Sequence, residues 1–178
     1  MKNIYKTSVI LTDKIPETEI EEKSAASVLN ITNKDFSLLN ETYFHYLSSS
    51  PFEIDGAEEF LKKLNKKYDI YVITNGVKRV QTIRLSLVNI TKYFKKVYIS
   101  EEIGYQKPSV EFFDFVLNDL NIKNKKEILI IGDSLSSDIQ GGINSGIDTM
   151  WYNPKGLQSN INYTYQIKNY DQFFELIK

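Results

Sequence analysis

The stretch Ile128-Leu129-Ile130-Ile131-Gly132-Asp133-Ser134 indicates the fold class of this chain. Its four consecutive apolar residues predict a strand that is buried on both faces, as in a parallel sheet covered by helices. Similar short apolar runs occur at residues 70–73, 97–99 and 148–152, and segments with helical periodicity separate them. This alternation predicts an α/β fold with a doubly wound parallel sheet.

The remaining elements follow from the same periodicities. We expect helices at residues 56–67, 77–88, 136–145 and 170–177, and a weaker strand at residues 163–167. Pro108 is expected in the first turn of a further helix, a position that proline favours. The Ser-Ser-Ser-Pro run at residues 48–51 ends a helical N-terminal part, so we expect a boundary between residues 1–50 and 51–178.

The composition excludes several classes of function. Of the 178 residues, 42% are hydrophobic and 25% are charged, which is typical of a packed globular protein. The net charge of −1 argues against binding to nucleic acid or to a membrane surface. The chain has no cysteine and one histidine, which excludes thiol nucleophiles and histidine-rich metal sites. With no membrane-spanning run and no signal peptide, we expect a cytoplasmic protein.

The residues that follow the predicted strands are the candidates for a site, because ligands bind beyond the carboxyl ends of the strands in an open parallel sheet. Thr74-Asn75-Gly76 lies between a strand and a helix. There, a hydroxyl, backbone N–H groups and the positive end of a helix dipole suit a phosphate. The same residues also suit a turn with a helix N-cap, and the residues alone leave both interpretations open.

Two further candidates follow the later strands. Lys107 precedes Pro108, which disfavours the helical conformation for the lysine and leaves its ammonium free to reach a site; the alternative is a solvated loop lysine. Asp133 follows a buried strand and Asp138 comes five residues later. Their carboxylate oxygens would suit Mg²⁺, although each aspartate alone could instead stabilise the start of a helix.

Taken together, the order strand-Thr-Asn-Gly, Lys-Pro, strand-Gly-Asp-x4-Asp resembles motifs two to four of the haloacid dehalogenase (HAD) superfamily. The surrounding residues resemble its noncanonical pyrimidine 5′-nucleotidase branch. They are Thr74-Asn75-Gly76 with Gln81, Arg84 and Leu85, residues 99–104 leading to Lys107-Pro108, and residues 132–139 continuing through 141–144 to 151–153.

The resemblance implies a HAD-like, Rossmann-type sheet at residues 51–178 and a partial helical cap at residues 1–50. It also implies a Mg²⁺-dependent phosphomonoester hydrolase whose substrate is a small phosphorylated molecule, a nucleoside monophosphate.

The resemblance further implies a role for each candidate residue. Thr74 would donate a hydrogen bond to the phosphoryl oxygens, beside the backbone N–H of Asn75. Lys107 would neutralise the charge of the phosphate and of the attacking carboxylate. Asp133 would bind Mg²⁺, and Asp138 would support either that metal site or Lys107. These roles suit phosphoryl transfer, which depends on positioning and charge stabilisation.

One part of the family pattern is missing. HAD phosphatases begin with a strand followed by Asp-x-Asp-x-Thr, in which the first aspartate attacks phosphorus and the second is the general acid and base. This chain contains no Asp-x-Asp, and its nearest equivalent is the run Val9-Ile10-Leu11-Thr12-Asp13, after which Ile15 occupies the place of the second aspartate.

Two interpretations of this run remain open. In the first, which the sequence favours, residues 1–50 are cap, the leading strand is absent and the chain is truncated. In the second, residues 9–12 form the leading strand and Asp13 is a nucleophile without its acid–base partner.

These interpretations lead to two functional hypotheses. The first is a HAD-type 5′-nucleotidase that lacks its nucleophile and therefore shows no turnover as the chain stands. The second is a catalytically inactive HAD-like module that binds a phosphorylated ligand or a partner protein.

Overall fold

The structure, a computed structural model, describes residues 38, 41–45, 48 and 54–177, and the backbone of residues 8–13. Its strands are β1 Ser8–Asp13, β2 Asp69–Thr74, β3 Phe94–Ile99, β4 Ile128–Gly132, β5 Asp148–Tyr152 and β6 Tyr165–Ile167. Its α-helices are α1 Ala57–Leu64, α2 Lys78–Ser86, α3 Ser100–Ile103, α4 Val110–Asp119, α5 Gln140–Asn144 and α6 Asp171–Leu176. None of the helices in these ranges is long and apolar enough to cross a membrane.

The six strands form one parallel sheet in the order β3-β2-β1-β4-β5-β6. The predicted α/β fold with a parallel sheet is therefore confirmed. The strand order reverses between β1 and β4, because the chain builds outward from β1 to one edge and then returns to build the other. The crevice at such a switch point is where ligands bind in sheets of this kind.

The segment Ser8–Asp13 is a central strand of this sheet. It pairs with β2 from Ser8 opposite Asp69 to Asp13 opposite Thr74, and with β4 from Ser8 opposite Ile128 to Leu11 opposite Ile131. This corrects the expectation that the core lacks its leading strand. β1 supplies backbone partners to both neighbours, which an empty slot would leave unpaired.

The predicted division placed residues 1–50 in a cap and residues 51–178 in the core. Residues 8–13 of the predicted cap belong instead to the sheet of the core. Residues 38, 41–45 and 48 are helical, in line with the helical pattern of that part of the sequence. Arg79 of α2 holds this helical segment through two hydrogen bonds to the Glu41 carboxylate, at 2.8 and 2.9 Å. The rest of the predicted cap lies outside the described residues.

The hydrophobic core lies on both faces of the sheet. Side chains alternate between the two faces along a strand, so Leu129 and Ile131 of β4 pack in the cluster of α1 and α6, whereas Ile128 and Ile130 pack in the cluster of α4. Burial on both faces explains why β4 is a continuous apolar run. Buried polar residues lie at or just beyond the strand ends, among them Thr74, Ser100 and Asn153.

Two predicted helices differ in detail from the structure. α4 begins at Val110, after Pro108, because the Ser109 hydroxyl accepts the Phe112 N–H at 3.4 Å and caps the helix. The predicted helix at 136–145 is a π-helical turn, Leu135–Ile139, followed by α5. In this turn the N–H groups of both Asp138 and Ile139 bond to the Ser134 carbonyl, which brings the Asp138 side chain into the core.

Candidate active site

Thr74, the last residue of β2, places its hydroxyl at the carboxyl edge of the sheet, where it is 1% exposed. The hydroxyl accepts a hydrogen bond of 2.8 Å from the Gln81 side chain. Beyond it, the Gly76 N–H donates to the Ser100 hydroxyl at 3.0 Å. The loop before α2 is thus supported by α3, and one of the N–H groups expected to face a phosphate is already bonded within the protein.

Asn75 positions the loop that carries Lys107. Its side-chain amide donates to the Lys107 carbonyl at 2.9 Å, and its amide oxygen accepts the Lys107 backbone N–H at 2.8 Å. The Asn75 side chain therefore contributes in a way that the sequence prediction, which invoked only its backbone N–H, did not include.

The Lys107 ammonium is buried at the same edge. It donates to Asp138 Oδ1 at 2.9 Å and to the Ile73 carbonyl at 3.2 Å, and Lys107 is 3% exposed. A charge withdrawn from water to this degree requires a partner of opposite charge, which Asp138 provides. The bond to Ile73 places the ammonium beside the end of β2, next to Thr74.

The Asp138 carboxylate is buried and bonded through both of its oxygens. One carboxylate oxygen accepts from Lys107 and, at 3.3 Å, from the Ser137 hydroxyl, while the other accepts the Ser134 N–H at 3.0 Å. Both oxygens are thus bonded to protein donors. Of the two roles considered for Asp138, support of Lys107 agrees with these contacts better than metal binding.

Asp133 lies on the other side of the switch point, directly after β4, and is half-buried. The Trp151 indole N–H donates to its backbone carbonyl at 3.0 Å, which fixes the backbone at this position. The Asp133 carboxylate also influences Tyr170. Burial, followed by the neighbouring Tyr152 and the Asp133 charge, raises the pKa of the Tyr170 phenol.

The backbone register places Asp13 between these groups. Asp13 is paired with Thr74 on β2. On the other side, Asp13 and Asp133 each lie two residues beyond the paired residues Leu11 and Ile131. The adjacent strands β2, β1 and β4 therefore bring Thr74, Asp13 and Asp133 to one edge of the sheet.

The donor types at this edge are compatible with Mg²⁺. Within the described residues, no group of three or more His, Asp or Glu side chains is placed to hold a metal ion. Asp133 nevertheless supplies a hard carboxylate oxygen beside the end of β1, where the sequence places a second aspartate, Asp13. Mg²⁺ commonly uses one or two carboxylates and takes its other ligands from water and phosphate.

Hydrogen bonds thus join Asn75 to Lys107 and Lys107 to Asp138, and the ends of β2 and β4 place Thr74 and Asp133 at the same edge of the sheet. Sequence reasoning gave no role in the site to three residues that hydrogen-bond to Thr74, Gly76 and Asp133, namely Gln81, Ser100 and Trp151. Two of these, Ser100 and Trp151, lie at or beside a strand end, and that position is the signal that could have identified them.

Comparison with known proteins identifies relatives of this chain. The chain is 38% identical over 147 residues to pyrimidine 5′-nucleotidase PynA of Streptococcus pneumoniae, with 81% of this chain and 62% of PynA covered. It is 35% identical over 115 residues to pyrimidine 5′-nucleotidase YjjG of Escherichia coli, with 65% of this chain and 51% of YjjG covered. The chain therefore spans less than two thirds of the length of these curated relatives.

The fold is similar to that of the HAD-hydrolase YfnB of Bacillus subtilis, whose crystal structure was determined with bound magnesium. The TM-score is 0.80 at 27% sequence identity, with 97% of this chain and 98% of that chain covered. The sequence profile of the haloacid dehalogenase-like hydrolases matches residues 8–152, a range that includes β1 and every candidate site residue. The chain belongs to the haloacid dehalogenase-like hydrolase family.

Proposed function

We propose that this chain is a Mg²⁺-dependent phosphomonoester hydrolase of the HAD type that acts on nucleoside monophosphates. The observation that carries the proposal is the buried Lys107 ammonium, which Asp138 holds at 2.9 Å beside the end of β2. A fixed positive charge at the end of β2, where the buried Thr74 also lies, suits an anion-binding site in a place from which bulk water is largely excluded. Charge stabilisation of this kind is the main requirement of phosphoryl transfer.

Each residue has a defined task in this proposal. The Thr74 hydroxyl donates a hydrogen bond to a phosphoryl oxygen, and Lys107 offsets the negative charge of the phosphate. Asn75 holds the Lys107 loop in place, and Asp138 keeps the ammonium oriented. Asp133 and Asp13 would hold Mg²⁺ through carboxylate oxygens, and the metal would supply Lewis acidity.

We assign the nucleophile to Asp13. A carboxylate oxygen of Asp13 attacks phosphorus, the bond between phosphorus and the ester oxygen breaks, and water then hydrolyses the aspartyl phosphate to release inorganic phosphate. The leaving alkoxide takes its proton from water, because Ile15 stands where the family has its general acid. General acid catalysis contributes about 10² to 10⁴ in rate, so turnover of nucleotides is expected to be slow.

The substrate class rests on the relatives. PynA and YjjG are both named pyrimidine 5′-nucleotidases, and their similarity to this chain supports a nucleoside monophosphate as the phosphorylated substrate.

Phosphate release from a panel of nucleoside 5′-monophosphates, with and without Mg²⁺, tests the proposal. We expect slow Mg²⁺-dependent release that Asp13→Asn abolishes and that Asp133→Asn reduces at least tenfold at limiting Mg²⁺. Asp114→Asn is the control, because Asp114 is an exposed carboxylate that forms an ion pair with Lys125 at 3.8 Å. Equal rates for wild type and Asp13→Asn would exclude Asp13 as the nucleophile.

A second candidate function is a HAD-like module that binds a phosphorylated ligand without turning it over. The absence of an Asp-x-Asp pair favours this candidate, since Asp13 lacks its acid–base partner. Binding of inorganic phosphate without detectable release from any nucleotide would select it over the enzyme.

A further inference from the structure

We propose that Gln81 is a positioning residue that directs the hydroxyl proton of Thr74 toward the phosphoryl group. The inference rests on the proposed function, in which Thr74 binds phosphate. It assigns a task to a buried polar side chain that the site described above does not yet use.

The contact between the two side chains is short and dry. Gln81 Nε2 lies 2.8 Å from Thr74 Oγ1, and both residues are 1% exposed. Gln81 is held in the first turns of α2, where its backbone N–H donates to the Val77 carbonyl at 3.1 Å. In the part of the chain that the structure describes, Gln81 is the partner of the Thr74 hydroxyl.

The direction of this hydrogen bond determines where the Thr74 proton can point. An amide nitrogen is a donor only, so the Thr74 oxygen must be the acceptor. The hydroxyl proton is then not used in this bond and remains available to a second partner. A phosphoryl oxygen is an acceptor, so Gln81 leaves Thr74 in the donor state that an anion requires.

Without the Gln81 amide, the Thr74 hydroxyl is free to rotate. Hydroxyl orientations that present an oxygen lone pair to the phosphate then compete with the orientation that donates a hydrogen bond to it. Part of the free energy of phosphate binding is lost as a result. A hydrogen bond to a charged group is stronger than one between neutral groups. The loss should therefore appear in phosphate affinity and should depend on the presence of the Thr74 hydroxyl.

A purely structural role makes a different prediction. If Gln81 only fills space between α2 and β2, its replacement changes folding stability and has the same effect on phosphate affinity whether or not residue 74 has a hydroxyl. Gln81→Met removes the donor at nearly constant length and charge. Thr74→Val removes the hydroxyl at nearly constant shape, and Thr74→Ser retains it.

The test is a double-mutant cycle on the full chain, with the Kd of inorganic phosphate measured by titration calorimetry at fixed Mg²⁺. When residue 74 is threonine or serine, we expect Gln81→Met to raise the Kd of phosphate about three- to tenfold. In the Thr74→Val background, which has no hydroxyl, the same replacement should raise Kd less than about twofold. Gln140→Met is the matched control, because the Gln140 amide bonds to Asn144 on the surface of α5. Circular dichroism verifies that each variant is folded.

A second replacement keeps the inference falsifiable if Gln81→Met does not fold. Gln81→Glu preserves the shape, and its carboxylate can accept the Thr74 proton, so the increase in Kd should be at least threefold larger with Thr74 than with Thr74→Val. Any repulsion between this carboxylate and phosphate is common to both backgrounds and cancels in the ratio. Equal increases in the two backgrounds would overturn the inference.

Turnover measured in parallel separates this inference from the proposed function. In one outcome the wild-type chain binds phosphate, with Kd values in the double-mutant cycle that change as expected, yet releases no phosphate from nucleotides. That result would contradict the hydrolase proposal and support the role of Gln81. A chain that turns over nucleotides with the same KM and the same phosphate Kd after Gln81→Met would support the hydrolase and overturn the role of Gln81. A wild-type chain that binds no phosphate would also overturn it.

Discussion

Asn75 and Lys107 are 32 positions apart in the sequence, yet the Asn75 amide makes two hydrogen bonds to the Lys107 backbone, one to its carbonyl and one from its N–H. The contact joins the loop after β2 to the loop before α4. Both loops contribute to the candidate anion site, so this side chain helps to set where Lys107 lies relative to Thr74, in addition to the bonds of the ammonium to Asp138 and Ile73.

Replacing Asn75 tests that dependence. Asn75→Ala leaves the N–H and carbonyl of Lys107 without their partners, which we expect to cost about 1 to 3 kcal/mol in the free energy of unfolding. The Kd of inorganic phosphate should rise at the same time, because the Lys107 loop is no longer held. Urea denaturation and calorimetric titration measure the two effects.

Asn118→Ala provides the control for this variant, since Asn118 is an exposed residue of α4 and should leave both quantities unchanged. A loss of stability with unchanged phosphate affinity would show that Asn75 holds the loops together without influencing the site.

The buried pair of Lys107 and Asp138 makes a second prediction. Removing one member leaves an uncompensated buried charge, so Lys107→Met and Asp138→Asn should each reduce the free energy of unfolding by about 3 to 5 kcal/mol. The double variant should lose less than the sum of the two, because no unpaired charge remains. Urea denaturation of the four proteins completes the cycle.

The surface pair of Lys126 and Asp148 is the control for the buried pair. Its N–O distance is also 2.9 Å, but the Lys126 side chain is 71% exposed. Lys126→Met should therefore change the free energy of unfolding by only about 0 to 1 kcal/mol. Additive losses in the Lys107 and Asp138 cycle would contradict direct coupling between the two charges.

The sequence predicted most of the sheet and the location of the site. The apolar run of β4 identified a strand buried on both faces, and the rule that ligands bind beyond strand ends brought Thr74, Lys107 and Asp133 to one edge. This part was predictable because a local pattern of apolar residues encodes each strand, and the parallel topology then determines where the strand ends meet.

The features that the sequence did not predict depend on long-range contacts. β1 is a short apolar run within a polar N-terminal part, and its central place follows only from pairing with β2 and β4. The family resemblance implies that Asp138 supports either the metal site or Lys107, and only the folded chain, which brings the two side chains together across 31 positions, selects the bond to Lys107. Gln81 is a polar residue in a helix, where periodicity predicts exposure, and it is buried because it bonds to Thr74.

A third prediction concerns how the free energy of unfolding changes with pH above about pH 10. Burial, together with the neighbouring Tyr152 and Asp133, raises the pKa of Tyr170, and burial with the hydrogen bond to Asp119 raises the pKa of Tyr98. The folded chain therefore keeps these protons to higher pH than the unfolded chain does. Their contribution to stability is complete below the ordinary tyrosine pKa of about 10 and is lost as the pH rises beyond it.

Urea denaturation between pH 8 and 11 measures this dependence of the free energy of unfolding on pH. Tyr170→Phe and Tyr98→Phe should each make the decline in the free energy of unfolding above about pH 10 shallower than in wild type. Tyr105→Phe, at an exposed side chain, is the control and should reproduce the wild-type slope. A decline that neither variant alters would assign the alkaline loss to other groups.

The fourth prediction concerns the residue two positions after Asp13, where Ile15 replaces the carboxylate that the family uses as its general acid. If the leaving group must be protonated by water, the wild-type chain should hydrolyse p-nitrophenyl phosphate, whose leaving group needs no proton, faster than a nucleoside monophosphate. Restoring the acid should benefit the nucleotide much more than the aryl ester, because only the alkoxide requires a proton in the transition state.

Ile15→Asp is therefore expected to raise kcat for the nucleoside monophosphate by about 10² and to change kcat for p-nitrophenyl phosphate by much less. Ile15→Asn is the matched control, because it has the size and polarity of the aspartate but no proton to transfer at neutral pH. The gain should also require Asp13, so the double variant Asp13→Asn with Ile15→Asp should be inactive. An equal gain on both substrates, or a gain with Ile15→Asn, would mean that the substitution acts by reshaping the site, and Ile15 would no longer explain the slow turnover of nucleotides.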